Sequence, residues 1–133
     1  MKSTTISMFI DAPPARVYAF AANPVNLPLW VPSFCTSVAF VNGEWVVQSP
    51  DGPVVFAFVE ANQLGVLDHT VTLPSGLRLT NPMRVIANGR GSELLFTLFQ
   101  HDGMSDQQFN DDAVLVRSDL DTLRRVLEGG QQR

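Results

Sequence analysis

Between Phe109 and Leu127 the apolar residues Phe109, Ala113, Val116, Leu120, Leu123 and Leu127 step by four and three. That spacing draws one continuous stripe down a long helix. Ser105 followed by Gln108 forms a capping box at its start, and Gly129-Gly130 marks its expected end. Asp112, Asp119, Arg125 and Glu128 are expected mostly away from the stripe. A helix this long and this one-sided must lie on a broad apolar surface. The rest of the chain has to provide it.

That surface is expected to be a sheet. From Phe34 to Gln100 the chain is punctuated by turn sequences: Asn42-Gly43, "SPDGP" at 49–53, "NQLG" at 62–65, "PSG" at 74–76 and "NGRG" at 88–91. Five turns imply about six strands in an antiparallel meander, with Asn42-Gly43 the strongest hairpin signal. One more strand precedes them, "STTISMFI" at 3–10, where Ile6, Met8 and Ile10 alternate with polar or smaller residues. Pro13 and Pro14 suit the first turn of a helix, in which Val17, Phe20 and Ala21 share a face. Asn23-Pro24 stops that helix and starts a shorter one running to about Trp30. The expected class is therefore α+β: about seven strands, two short helices after the first strand, and a long C-terminal helix. At 133 residues, without linker or repeat, the chain is expected to form one domain over 1–133.

Composition restricts function more by exclusion than by assignment. The chain is 45% apolar with a net charge of -4, and its few basic residues are scattered. Nucleic acid needs a concentrated positive surface, so that partner is not expected. No stretch approaches the ~20 apolar residues of a membrane span, and the first residues lack the apolar run of a signal peptide. Stable membrane insertion is not expected, and the expected location is cytoplasmic. Cys35 is the lone cysteine and reads as a small buried apolar residue. The two histidines, His69 and His101, would sit about two strand spacings apart, near 9–10 Å. A shared zinc ion needs both at ~2 Å, so no metal and no cofactor are expected.

The order strand, two short helices, meander and long helix is that of the helix-grip fold. "IDAPPARVYAFAANPVNLPLW" and "FTLFQHDGMSDQQFNDDAVLVRSDLDTLRRVLE" resemble the START and pollen-allergen superfamily (SRPBCC), specifically its polyketide cyclase/dehydrase-like branch. The residues that carry the likeness, Pro13, Val17, Phe20, Trp30 and the terminal helix, are mainly structural. The resemblance implies a curved sheet gripping the helix, with a cavity between them for an apolar or aromatic small molecule. It also implies that the short helices plug one end, with Trp30 either framing the entrance or anchoring the second helix on the core.

Strand register then nominates side chains for the cavity. If "PSG" closes a hairpin around Ser75, then Leu73 faces Leu77, Val71 faces Leu79, His69 faces Asn81 and Leu67 faces Met83. That face is apolar except for His69 and Asn81. The opposite face, with Asp68, Thr70, Thr72, Arg78, Thr80 and Arg84, is polar. Extending the register sets Phe56 beside Val71, Phe58 beside His69 and Glu60 beside Leu67, with Phe96 near Met83 and Leu98 near Asn81.

The expected walls are thus Trp30, Phe56, Phe58, Met83, Phe96, Phe109 and Val116. An unpaired buried polar group costs roughly 1–3 kcal/mol, so His69 and Asn81 should bond each other, a water or a ligand. The leading expectation is binding of a hydrophobic small molecule, lipid- or polyketide-like. The alternative is a cyclase, dehydratase or isomerase with His69 as general acid/base and Glu60 tuning it. Leu95 and Phe99 make the outer face of their strand apolar too, which would suit a homodimer contact.

Overall fold

A computed structural model describes residues 1–131. Strand β1 (Ser3–Ile10) leads into helix α1 (Pro14–Ala21), a 3-10 turn at Pro24–Asn26 and the single-turn helix α2 (Leu27–Trp30). Seven strands follow: β2 (Ser37–Val41), β3 (Glu44–Ser49), β4 (Gly52–Phe58), β5 (His69–Thr72), β6 (Arg78–Asn81), β7 (Met83–Asn88) and β8 (Gly91–Phe99). Helix α3 (Asp106–Gln131) ends the chain. Every strand pairing is antiparallel, in the orders β1-β8-β7 and β2-β3-β4-β5-β6.

Eight strands stand where about seven were expected, because Pro82 divides one of them. Proline has no N–H to give a ladder, and β6 ends at the residue before it. The pairing nevertheless continues across the break. His69 faces Asn81, the Leu67 N–H donates to the Met83 carbonyl at 2.8 Å, and Val66 bridges Arg84. On the far side the Thr97 N–H donates to the Pro82 carbonyl at 2.9 Å. The two ladders thus share one curved wall, hinged on Asn81-Pro82-Met83.

The hairpin chemistry follows the turn residues. Asn42 (φ 51°) and Gly43 (φ 81°) both take positive φ between the paired residues Val41 and Glu44, as a tight two-residue hairpin requires. Gly89-Arg90 connects the paired residues Asn88 and Gly91, with Gly89 at φ 60° and Arg90 outside the positive-φ region. "NQLG" is organised by Asn62, whose amide donates to the Glu60 and Val66 carbonyls and accepts from the Leu64 and Val66 N–H groups. Gly65 in that loop (φ 72°) lies so close to the Val85 carbonyl that a Cβ would overlap it.

The N-terminal helices are short because prolines and asparagines divide them. Pro14 opens α1, and the Asn23 carboxamide caps the 3-10 turn by accepting from the Val25 N–H at 3.1 Å. In α3 the capping box forms in both directions, Gln108 N–H to Ser105 Oγ and Ser105 N–H to Gln108 Oε1, each 3.1 Å. The helix runs through Gly129 and Gly130 to Gln131 instead of stopping at them. Glycine in a helix costs about 1 kcal/mol relative to alanine but does not forbid the conformation.

Helix α3 packs against β1 and β8. Ile6, Ile10, Leu94, Leu120, Leu123 and Leu127 are all fully buried there or beside it. Cys35 is buried too, donating weakly to the Ser37 carbonyl, and burial pushes its thiol pKa up. Among the described residues no helix is long and apolar enough to cross a membrane.

Candidate functional site

The α3 stripe is not sealed along its whole length. Phe109 and Leu120 are buried, whereas Ala113 and Val116 between them are only half-buried. Over this middle section the helix and the sheet stand apart around a hollow of about 420 Å³. Phe56, His69, Val71, Asn81, Phe96 and Leu98 supply the sheet side. Asp112, Val116, Asp119 and Leu120 face them from α3, and Leu27, Trp30 and Val31 close one end. Its exposed lining residues, Ser33, Pro50, Asp51 and Leu115, mark the opening between the segment after α2, the β3–β4 turn and α3.

His69 is 6% exposed. Its ring lies flat on Phe56 (centroids 4.9 Å, 17° between planes) with Phe58 edge-on at 5.6 Å and Phe96 at 5.7 Å. Nδ1 is 3.0 Å from the Leu67 carbonyl. A carbonyl only accepts, so Nδ1 carries the proton and Nε2 is left with a lone pair. Burial lowers the imidazole pKa, outweighing the Leu67 bond and the charge of Asp68, which act the other way. The ring is therefore neutral at neutral pH. Asn81 lies opposite on β6, as the register requires, yet the imidazole bonds the Leu67 carbonyl and not that amide.

Two of the polar lining groups come from α3, where the sequence pattern points them elsewhere. Asp112 and Asp119, expected mostly off the apolar stripe, line the hollow on either side of Val116. Burial drives the Asp119 carboxyl up to about 7, against a smaller lowering effect from the Ser33 hydroxyl. Burial, then the neighbouring Asp111 charge, also raises Asp112. Trp30, 4% exposed, is wall and anchor at once, and its indole N–H finds no acceptor among the described residues.

Of the side chains nominated from sequence, Trp30, Phe56, His69, Asn81, Phe96 and Val116 meet at the hollow. Four others do not line it. Phe58 packs edge-on to Phe56 at 5.0 Å and to His69 at 5.6 Å without lining the hollow. Met83 lies beyond the Pro82 break and is fully buried in the core. Phe109 is buried in the first turns of α3, with the Lys2 ammonium 5.6 Å from its ring centre. Glu60 is exposed past the end of β4. Phe99, expected on an outer dimer face, instead reaches the hollow near His101, with ring centroids 6.4 Å apart. A seven-residue spacing, two full helical turns, was the available signal for Asp112 and Asp119. It was masked by the stronger apolar stripe beside them.

No family model and no curated protein matches the chain. Solved structures do. XoxI from Bacillus cereus superposes with a TM-score of 0.75 at 18% identity, over 96% of each chain. Ara h 8.0201 gives 0.71 at 15% identity, over 96% of this chain and 98% of the other. DynU16, a protein of the dynemicin biosynthetic locus, gives 0.75 at 15% identity over 98% of this chain and 48% of its own. At these identities the likeness concerns the fold. The architecture these structures share with this chain is the helix-grip arrangement, a curved antiparallel sheet around a long C-terminal helix.

Proposed function

We propose that the protein binds a small, mainly apolar or aromatic molecule between its curved sheet and α3. One observation carries this reading: the hollow of about 420 Å³. Protein interiors rarely hold voids larger than a water molecule, and ligand sites typically span about 300–1,000 Å³ with a few polar groups on apolar walls. Phe56, Val71, Phe96, Leu98 and Val116 provide apolar wall here. His69 Nε2, the Asn81 amide and the Trp30 N–H supply the polar points.

The reading is tested by titrating an apolar fluorophore into the protein and into a double variant, Val71→Phe with Val116→Phe. The substitutions put one ring into the hollow from each wall. Affinity should fall at least about tenfold, or about 1.4 kcal/mol. Unchanged affinity in a folded double variant would put the fluorophore elsewhere and end the reading.

A second reading is favoured by one observation, the opposed shifts of His69 and Asp119 on the same hollow. A neutral imidazole and a carboxyl poised near neutrality are suited to removing a proton from carbon and delivering one to a carbonyl oxygen. Such chemistry would serve a cyclase, dehydratase or isomerase. Under it, His69→Ala abolishes turnover of a polyketide-like substrate while binding is only weakened; undiminished turnover would dismiss it.

A further inference from the structure

We propose that the ligand is a cation, an aromatic or alicyclic amine, whose ammonium group is received by Asp119 with Asp112 reinforcing it. This inference rests on the reading of the hollow as a binding site and narrows it to one chemical class.

The charge on the lining has a single sign. Asp51, Asp112 and Asp119 contribute carboxyls, and among the described residues no lysine or arginine lines the hollow. A fatty acid or other anionic ligand would meet like charge and find no cationic partner. An ammonium would find the reverse.

Asp119 also lacks what other carboxylates of this protein have. Asp68 is held by Arg84 at 3.0 Å, Asp121 by Arg124 at 2.8 Å and Glu128 by Arg124 at 2.9 Å. Among the described residues Asp119 has only the Ser33 hydroxyl. A half-buried carboxyl without a counter-ion is costly to ionise, and the raised pKa expresses that cost. An incoming ammonium supplies the missing charge.

The rest of the lining suits the same class of molecule. Trp30, Phe34, Phe56 and Phe96 present aromatic surface for a ring, and a cation near such a ring gains further attraction. Neutral His69 offers an acceptor lone pair, and the unpartnered Trp30 N–H suits a hydroxyl or ether oxygen on the ligand body.

The inference has a pH signature. An alkylammonium keeps its charge through neutrality, while the Asp119 carboxyl, held at about 7 in the free protein, gives up its proton to bind it. Amine affinity should therefore rise about tenfold from about pH 6 to about pH 8, with proton release on binding in the lower part of that range. The other titratable groups on the lining are Asp51 from the β3–β4 turn, His69 from β5, His101 from the loop before α3, and Asp112 two helical turns before Asp119 on α3.

Calorimetric titration with three matched probes, naphthylethylamine, naphthylethanol and naphthylacetate, tests it across that range. The amine should bind at least about tenfold tighter than the alcohol at the alkaline end, with the acid weakest. Asp119→Asn should bring amine and alcohol affinities together and remove the pH gain. Asp112→Asn should narrow the amine's advantage by a smaller factor.

If the alcohol binds and the amine gains nothing over it, or the acid binds tightest, the charge assignment fails and the apolar site stands. A pH gain that survives Asp119→Asn would overturn Asp119 as the receiving group. If none of the three binds, the hollow is not a ligand site and this inference falls with it.

Discussion

Asp119 and His69 shift in opposite senses, so they act on stability in opposite pH ranges. The Asp119 carboxyl is raised from 3.8 to about 7, so the folded protein holds its proton more tightly than the unfolded chain does. Its contribution is present at low pH and is lost as pH rises from about 4 through about 7. His69 is lowered from 6.5, so its contribution is complete above that value and is lost as pH falls below it. Asp119→Asn should therefore be more stable than the parent at about pH 8 and hold a clearly smaller advantage at about pH 5. Urea unfolding midpoints at the two pH values check this; an equal difference at both would mean that burial of the charge is not what separates them. The His69 and Asn81 pairing was legible from residue spacing because a two-fold strand repeat leaves few choices. The absence of a bond between them was not, because Leu67 competes through its backbone.

At the scale of elements, the seam between β5 and β6–β7 is where the sheet bends, and Asp68 holds it. Its carboxylate accepts the Met83 N–H at 2.8 Å immediately after the proline and pairs with the Arg84 guanidinium on the outer face. Burial works to raise its pKa, but the bonds from Arg84 and Met83 prevail and lower it. Asp68→Ala leaves a partly buried N–H unpaired and should cost about 1–3 kcal/mol in chemical denaturation. Arg84→Ala removes an exposed ion pair and should cost less than about 1 kcal/mol. Equal losses would show that the ion pair, and not the backbone bond, stabilises the bend. The polar outer face of these strands was readable as a pattern. That Asp68 on this face would cap the proline break was not, since Pro82 reads equally well as a turn or a kink.

For the molecule as a whole, the hollow is a consequence of curvature. A sheet bent at Asn81-Pro82-Met83 meets α3 firmly near Leu120, Leu123 and Leu127 and stands off beside Val116. Filling that space should add apolar contacts without displacing existing ones. The Val71→Phe and Val116→Phe double variant should accordingly be at least as stable as the parent, by up to about 2 kcal/mol if both rings are buried. A loss of stability by thermal unfolding would mean that the walls are already in contact and cannot accept a ring.

Secondary structure, hairpin register and the long apolar stripe are local properties, set by neighbours two, three or four positions apart in the chain. They were therefore open to reading from residue order, down to the capping box and the Val41–Glu44 hairpin. Which parts of the stripe touch the sheet depends on how far the sheet bends, and that sums small twists over eight strands. Asp112 and Asp119 became lining residues, and Met83 and Phe109 became core, only when that curvature placed one wall against the other. Packing across the fold, with the desolvation it imposes, decided where charge could sit.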